Sequence, residues 1–341
     1  MNSGDTYFNP KFTHIYVENR VRNHPRVEEI LSHFPHSRVV FIDHYKDVFN
    51  RRGQEIVTQH RSQCLILAAK EGTLFYEGAP VCQDFGNENF YYCSTMMNCV
   101  FDCSYCYLKG MYPSGHLVVF VNLEDYFEAL DDFLLEKSMY LCVSYDADLL
   151  ALESLCGYGR LWAEYASTRE KLKIEIRTKS ANPRMWEGIP RAGNVIYAFT
   201  LAPQQMIDAC EQGTPSAGAR IACALEGLAL GFPVRLCFDP MLYLPTWRQD
   251  YEGLLAELDA AFSRKGMSMQ ALSDVSVGTF RISQDYMKKI RRTLPGAPAV
   301  QFPYVNVGGV YQYPSELLDT MEQFLISELE KRMDGHKIFY E

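Results

Sequence analysis

Between residues 91 and 282, short apolar runs alternate with amphipathic stretches about six times, and this alternation limits the possible folds more than any other feature. Residues 116–121, 140–144, 173–179, 195–200, 232–238 and 274–280 read as strands. After Asn122, which reads as a helix N-cap, Leu123, Phe127, Leu130 and Leu134 recur at helical spacing. Residues 149–166 read as largely helical, residues 216–230 as a helix stopped by Gly231, and 251–262 as another. Strands separated by helices pair in parallel through right-handed crossovers. Six such units fall short of the eight that close a full barrel, so the expected fold is α/β, a partial (β/α)6 TIM barrel. Function in such a barrel sits at the C-terminal ends of the strands.

The flanks read differently. Residues 1–90 form a smaller α/β unit, with strand-like runs at 13–18, 38–43 and 64–68, the last leading through Gly72 to 74–76. Residues 283–341 form a closing piece, a hairpin turning at Gly308-Gly309 followed by a helix from 315 to about 333. The expected organisation is therefore 1–90, 91–282 and 283–341. No apolar run approaches the roughly 18 residues of a membrane span. Residues 1–5 lack the basic start of a secretory signal, so no membrane association is expected. Eleven cysteines, an odd number without framework spacing, argue against a disulfide scaffold and favour a reducing cytoplasm. A net charge of −9 lacks the global basic footprint of a nucleic-acid binder, although a local patch can still be basic.

Three of the cysteines are not scattered. Cys99, Cys103 and Cys106 stand in a C-x3-C-x2-C spacing with Tyr105 and Tyr107 interleaved. Thiolates this close suit one soft centre, iron–sulfur, zinc or Cu(I). A structural zinc site normally closes with four protein ligands, whereas a [4Fe–4S] cluster on three cysteines leaves one iron open. Buried, inert thiols would be the plain alternative for one cysteine, and they account poorly for three.

This loop, with an aromatic residue just before its last cysteine, resembles the cluster loop of radical S-adenosylmethionine (SAM) enzymes, whose fold is the partial barrel expected above. Cys99 to Leu108, including both tyrosines, is similar to the motif of spore photoproduct lyases in particular. So, in order, are Leu65 to Phe75, Val119 to Asp125, Arg177-Thr178-Lys179, Glu211 to Thr214, Asp239-Pro240 with Trp247 and Tyr251, and the segment from Gly309 to Tyr340. The resemblance implies a [4Fe–4S] cluster on Cys99, Cys103 and Cys106 that binds SAM and generates a 5′-deoxyadenosyl radical. It implies cleavage of a methylene-bridged thymine dimer in DNA, with an external electron donor such as ferredoxin or flavodoxin. On matching positions it implies that Lys179 meets the SAM carboxylate, that Tyr105, Tyr107 and Thr200 line the SAM site, and that Tyr107 relays hydrogen.

Two departures from the family pattern stand out. The family's hydrogen-atom donor is a cysteine just after the second barrel strand. Here Cys142 lies within that strand, while alignment on Asp148 puts Tyr145 at the donor position. Absent a bulge, strand alternation predicts that Cys142 and Ser144 face one side and Tyr145 the other. The family's C-terminal hairpin is basic, but residues 299–313 here contain no Lys or Arg; the nearest basic cluster is Lys288, Lys289, Arg291 and Arg292, open to two readings, a phosphate contact or a solvated helix face, of which the second is commoner for a charge run. A family member acting on a different, smaller or nucleotide substrate, and a non-catalytic zinc- or cluster-binding protein, therefore stay open at this point.

Overall fold

The structure, a computed structural model, describes residues 11–79 and 82–340, so the reading of residues 1–5 lies outside it. In chain order the strands begin with β1 (His14–Glu18), β2 (Arg38–Ile42), β3 (Leu65–Ala68), β4 (Phe75–Glu77), β5 (Phe90–Cys93) and β6 (Met96–Met97). They continue with β7 (Asp102–Cys103), β8 (Leu117–Phe120), β9 (Met139–Cys142), β10 (Leu172–Thr178), β11 (Val195–Thr200) and β12 (Glu211–Gln212). The last are β13 (Val234–Met241), β14 (Asp274–Thr279), β15 (Arg281–Ser283), β16 (Val305–Val307), β17 (Val310–Gln312) and β18 (Ile338–Tyr340).

The six expected barrel strands are β8, β9, β10, β11, β13 and β14. From β9 to β14 they pair in parallel in sequence order. Strands such as β8 and β11 are buried at every position, as parallel strands covered on both faces must be. The fold is thus the expected partial barrel, and its seam lies between β8 and β9, which do not pair. The segment 90–97 bridges that seam: β5 runs parallel to β9, then β6 pairs antiparallel with β8. The Phe120 amide also donates to the Thr95 carbonyl at 3.0 Å.

The N-terminal strands add directly to the barrel edge, in the all-parallel order β2-β1-β3-β8. Asn122 occupies the N-cap position of the helix Leu123–Glu136 but makes no capping bond. Its side chain instead accepts from the Lys70 amide at 2.8 Å and donates to the Lys70 carbonyl at 2.9 Å, tying the loop after β3 to the barrel. The stretch read as one helix over 149–166 is broken: Gly157, at φ +62°, separates a short turn, Glu153–Cys156, from the helix Tyr158–Ser167.

At the C-terminus β16 and β17 form the expected hairpin, turning on Gly308 and Gly309 with φ of 57° and 89°. β15 joins as the third strand of that small sheet. The helix Ser315–Glu330 packs over β14, and Glu322 accepts from the Thr279 amide at 2.9 Å. Beyond it the chain adds a further parallel strand, β18, beside β14. The sequence offers only three residues for that strand, too few to show a period.

Candidate active site

The C-terminal ends of the barrel strands surround a cavity of about 610 Å3. Cys142, Thr178, Thr200 and Asp239 come from successive strands, and Cys99, Cys103 and Cys106 enter from the loop before β8. That loop is held by a clasp: β7 pairs antiparallel with β12, and the Ser104 amide donates to the Cys210 carbonyl at 2.7 Å. The helix after the loop, Leu108–Met111, contains Gly110, where a Cβ would lie 2.5 Å from Tyr286 Cα. Only glycine allows the helix Gln284–Thr293 to approach this closely.

The three thiols line the cavity together. Burial pushes Cys99 up to about 12 and raises Cys103 and Cys106 as well, so the protein alone does not hold them as thiolates. The Phe101 amide donates to Cys99 Sγ at 3.4 Å. Among the described residues no three His, Cys, Asp or Glu side chains gather around one ion position. Soft sulfur donors that are largely shielded from water and need positive charge fit an iron–sulfur centre in which each sulfur has its own iron.

Beside them stands an ion network that sequence reasoning did not assemble. Glu211, at the clasp, accepts from the Tyr105 hydroxyl and from Arg220 Nη2, the latter at 2.5 Å. Lys179 Nζ lies 3.6 Å from the same carboxylate and 5.2 Å from the Tyr105 ring centroid. Burial opposes the charges of Glu211 and Lys179, but their neighbours outweigh it: Lys179, Arg220 and Tyr105 lower Glu211, and Cys103 in its thiolate form together with Glu211 raises Lys179. Both stay charged. The Lys179 ammonium therefore faces the cavity held by an ion pair longer than a hydrogen bond. Arg220, fully buried in the helix Ala217–Ala229, carries no motif that would have marked it.

The cavity is also lined by Cys142 and Tyr145, the two residues that the resemblance offers as hydrogen-atom donors. Cys142 is 8% exposed, with its thiol pushed up to about 12 by burial. Alternation predicts that Tyr145 faces away, yet it lines the same cavity as Cys142 and Ser144. The reason is that β9 ends at Cys142, and the regular pleat ends with it. Tyr145 stacks on Tyr92, with ring centroids 4.1 Å apart, and its hydroxyl lies 3.6 Å from Cys82 Sγ. Tyr107 donates to the Tyr145 carbonyl at 2.5 Å, linking the cluster loop to this part of the lining. Cys82, one of the scattered cysteines, thus joins the cavity through its neighbours in space, with no sequence signal to announce it. Asp148 accepts from Thr178 Oγ1 and the Lys179 amide, both at 2.7 Å, and fixes the end of β10. Thr200 closes β11 at the cavity, and its carbonyl accepts from Arg220 at 3.1 Å.

Comparison with known proteins agrees with this geometry. No curated protein matches the chain in sequence. Solved structures do match in fold. A cysteine-to-alanine mutant of spore photoproduct lyase with dinucleoside spore photoproduct shares 18% identity, covers 96% of this chain and 98% of its own, and gives a TM-score of 0.82. A double mutant with bound AdoMet and dinucleoside spore photoproduct also shares 18% identity, covers 97% and 99%, and gives 0.82. At this identity the likeness establishes the fold. The sequence model of the spore photoproduct lyase family matches residues 8–295. With a match over most of its length, the chain belongs to the spore photoproduct lyase family.

Proposed function

We propose that this chain is a radical SAM lyase that splits the methylene-bridged thymine dimer of DNA. The observation that carries the reading is one cavity joining three cysteines, one buried and two half-buried, an inward-facing Lys179 and the pair Cys142 and Tyr145. Cys99, Cys103 and Cys106 would hold a [4Fe–4S] cluster, and Lys179 would pair with the SAM carboxylate as a charge-assisted contact. Tyr105, Tyr107 and Thr200 would border the SAM. Bound there, the cluster and SAM would supply a 5′-deoxyadenosyl radical for hydrogen abstraction. The protein would orient the dimer at the strand ends and give a hydrogen atom to the split product radical from the Cys142 thiol or the Tyr145 hydroxyl, which leaves the unpaired electron on that residue as a thiyl or tyrosyl radical. The Tyr107–Tyr145 hydrogen bond ties the cluster loop to Tyr145. An external one-electron donor of the ferredoxin or flavodoxin type completes the system. Eleven cysteines without a disulfide suit a reducing cytoplasm, and no described helix is long and apolar enough to cross a membrane.

The test is anaerobic reconstitution with iron, sulfide, SAM and dithionite, followed by incubation with dinucleoside spore photoproduct. Release of the unbridged thymidine dinucleoside is expected, and Cys99→Ala, Cys103→Ala or Cys106→Ala each abolishes it together with SAM cleavage. SAM cleavage without dimer splitting would favour the second reading, the same radical chemistry on another substrate, which the cation-free hairpin motivates.

A further inference from the structure

The hairpin β16–β17 has no cation with which to meet a phosphodiester backbone. Val305 and Val307 are 39% and 55% exposed, and Asn306 is turned back to Gln284. The neighbouring helix Gln284–Thr293 has what the hairpin lacks. Its Met287 and Ile290 are buried. Asp285, Lys288, Lys289 and Arg292 recur at i, i+3, i+4 and i+7 and form one exposed stripe. Arg291 does not belong to it, because its guanidinium lies over the Tyr311 ring at 5.0 Å and its Nε donates to the Val300 carbonyl at 3.4 Å.

The stripe is fixed relative to the reaction cavity. The Gln284 amide donates to the Gly309 carbonyl at 2.8 Å, which ties the helix to the hairpin turn. Tyr286 of the same helix lines the cavity and packs on Gly110 beside the cluster loop. Lys289 stands about 60° round the helix axis from Tyr286, with Arg292 and Lys288 farther round, so the stripe begins beside the cavity rim and turns toward solvent. Lys288 to Arg292 spans about 6 Å along the helix and the long Lys and Arg side chains reach beyond it, against a spacing between neighbouring phosphates of one strand about twice the axial rise of about 3.4 Å. The exposed cations therefore match two to three phosphates. Lys288 is the partly committed one, with its Nζ 3.5 Å from Asp285.

Resting on the function proposed above, we infer that the DNA backbone flanking the lesion is bound by Lys288, Lys289 and Arg292 of this helix, and that the hairpin carries none of the phosphate contact. The cations form a local exception on a chain of net charge −9, so the duplex is admitted at this edge by charge complementarity. Asp285 weakens the same stripe.

The test compares a short lesion-bearing duplex with dinucleoside spore photoproduct, which has no flanking backbone, using reconstituted protein and dithionite. In the triple variant Lys288→Gln, Lys289→Gln, Arg292→Gln, duplex affinity falls about tenfold, and the slope of log K against log salt shrinks by about 2 to 3. Dinucleoside turnover stays within about twofold of the parent. Asp285→Asn tightens duplex binding and steepens the slope. Unchanged duplex affinity and slope in the triple variant overturn the inference, as does equal loss of dinucleoside and duplex turnover. Unchanged duplex affinity with turnover lost only when an acidic reducing protein replaces dithionite would reassign the stripe to the electron donor. If the parent binds duplex with the expected charge dependence but splits no dinucleoside, the functional reading fails and this one stands.

Discussion

Cys142 and Tyr145 present the sharpest question at the residue scale, because both reach the same cavity. If Cys142 returns the hydrogen atom, Cys142→Ala keeps SAM cleavage and lowers clean dimer splitting at least about tenfold, with adducts in place of the unbridged product. Tyr145→Phe would then lower splitting only a few-fold. The reverse pattern would assign the donation to Tyr145, and chromatography of the products distinguishes the two. The cluster cysteines were legible in the sequence because their spacing is local. Glu211, Arg220 and Cys82 were not: Glu211 meets Tyr105 across 106 residues, and Cys82 meets Tyr145 across 63. Local pattern carries no information about such meetings. The side on which Tyr145 points was misread for a related reason, since alternation holds only while the strand continues.

At the scale of elements, strands and helices of the barrel were legible from period alone, whereas the contacts between non-consecutive elements were not. Gly110 shows why. In sequence it is one glycine after a cysteine motif, and in space it is the contact between the cluster loop's helix and the helix Gln284–Thr293. Gly110→Ala inserts a methyl group where Tyr286 backbone already lies. Overpacking of this kind costs about 1–3 kcal/mol. The expected result is a melting temperature lowered by several degrees and a larger loss in dimer splitting than in SAM cleavage, since the wall near Tyr286 moves while the three cysteines stay together. Calorimetry and the two product assays measure these separately.

For the molecule as a whole, the interior of the barrel carries a buried charge cluster. Arg235, fully buried, donates to Asp274 at 2.9 Å through Nη2, to the Tyr140 hydroxyl at 2.8 Å and to Glu175, and it lies 3.2 Å from the Phe85 ring centroid. Burial works against the Glu175 charge, but Arg177 and Arg235 outweigh it and hold the carboxyl below its ordinary value of 4.5. A depressed carboxyl contributes stability above its unfolded value, and that contribution is lost as pH falls through the folded one. Glu175→Gln leaves Arg235 with one carboxylate fewer and should cost about 3–5 kcal/mol at neutral pH. The gap between parent and variant in urea unfolding should then narrow as pH drops below 4.5. A gap that stays constant through that range would show that the charge of Glu175 contributes nothing to folding.

The all-parallel order β2-β1-β3-β8 has a consequence for dissecting the chain. β8 is Leu-Val-Val-Phe, buried throughout, and β3 satisfies its amides and carbonyls on one side. A fragment starting at residue 91 would keep every cluster cysteine and every barrel strand, yet would expose that row of backbone groups on an apolar strand, the usual template for edge-to-edge aggregation. β1 to β3 therefore cover the barrel's apolar edge, and an insoluble truncation would report that uncovered edge together with the loss of Cys82 from the cavity wall.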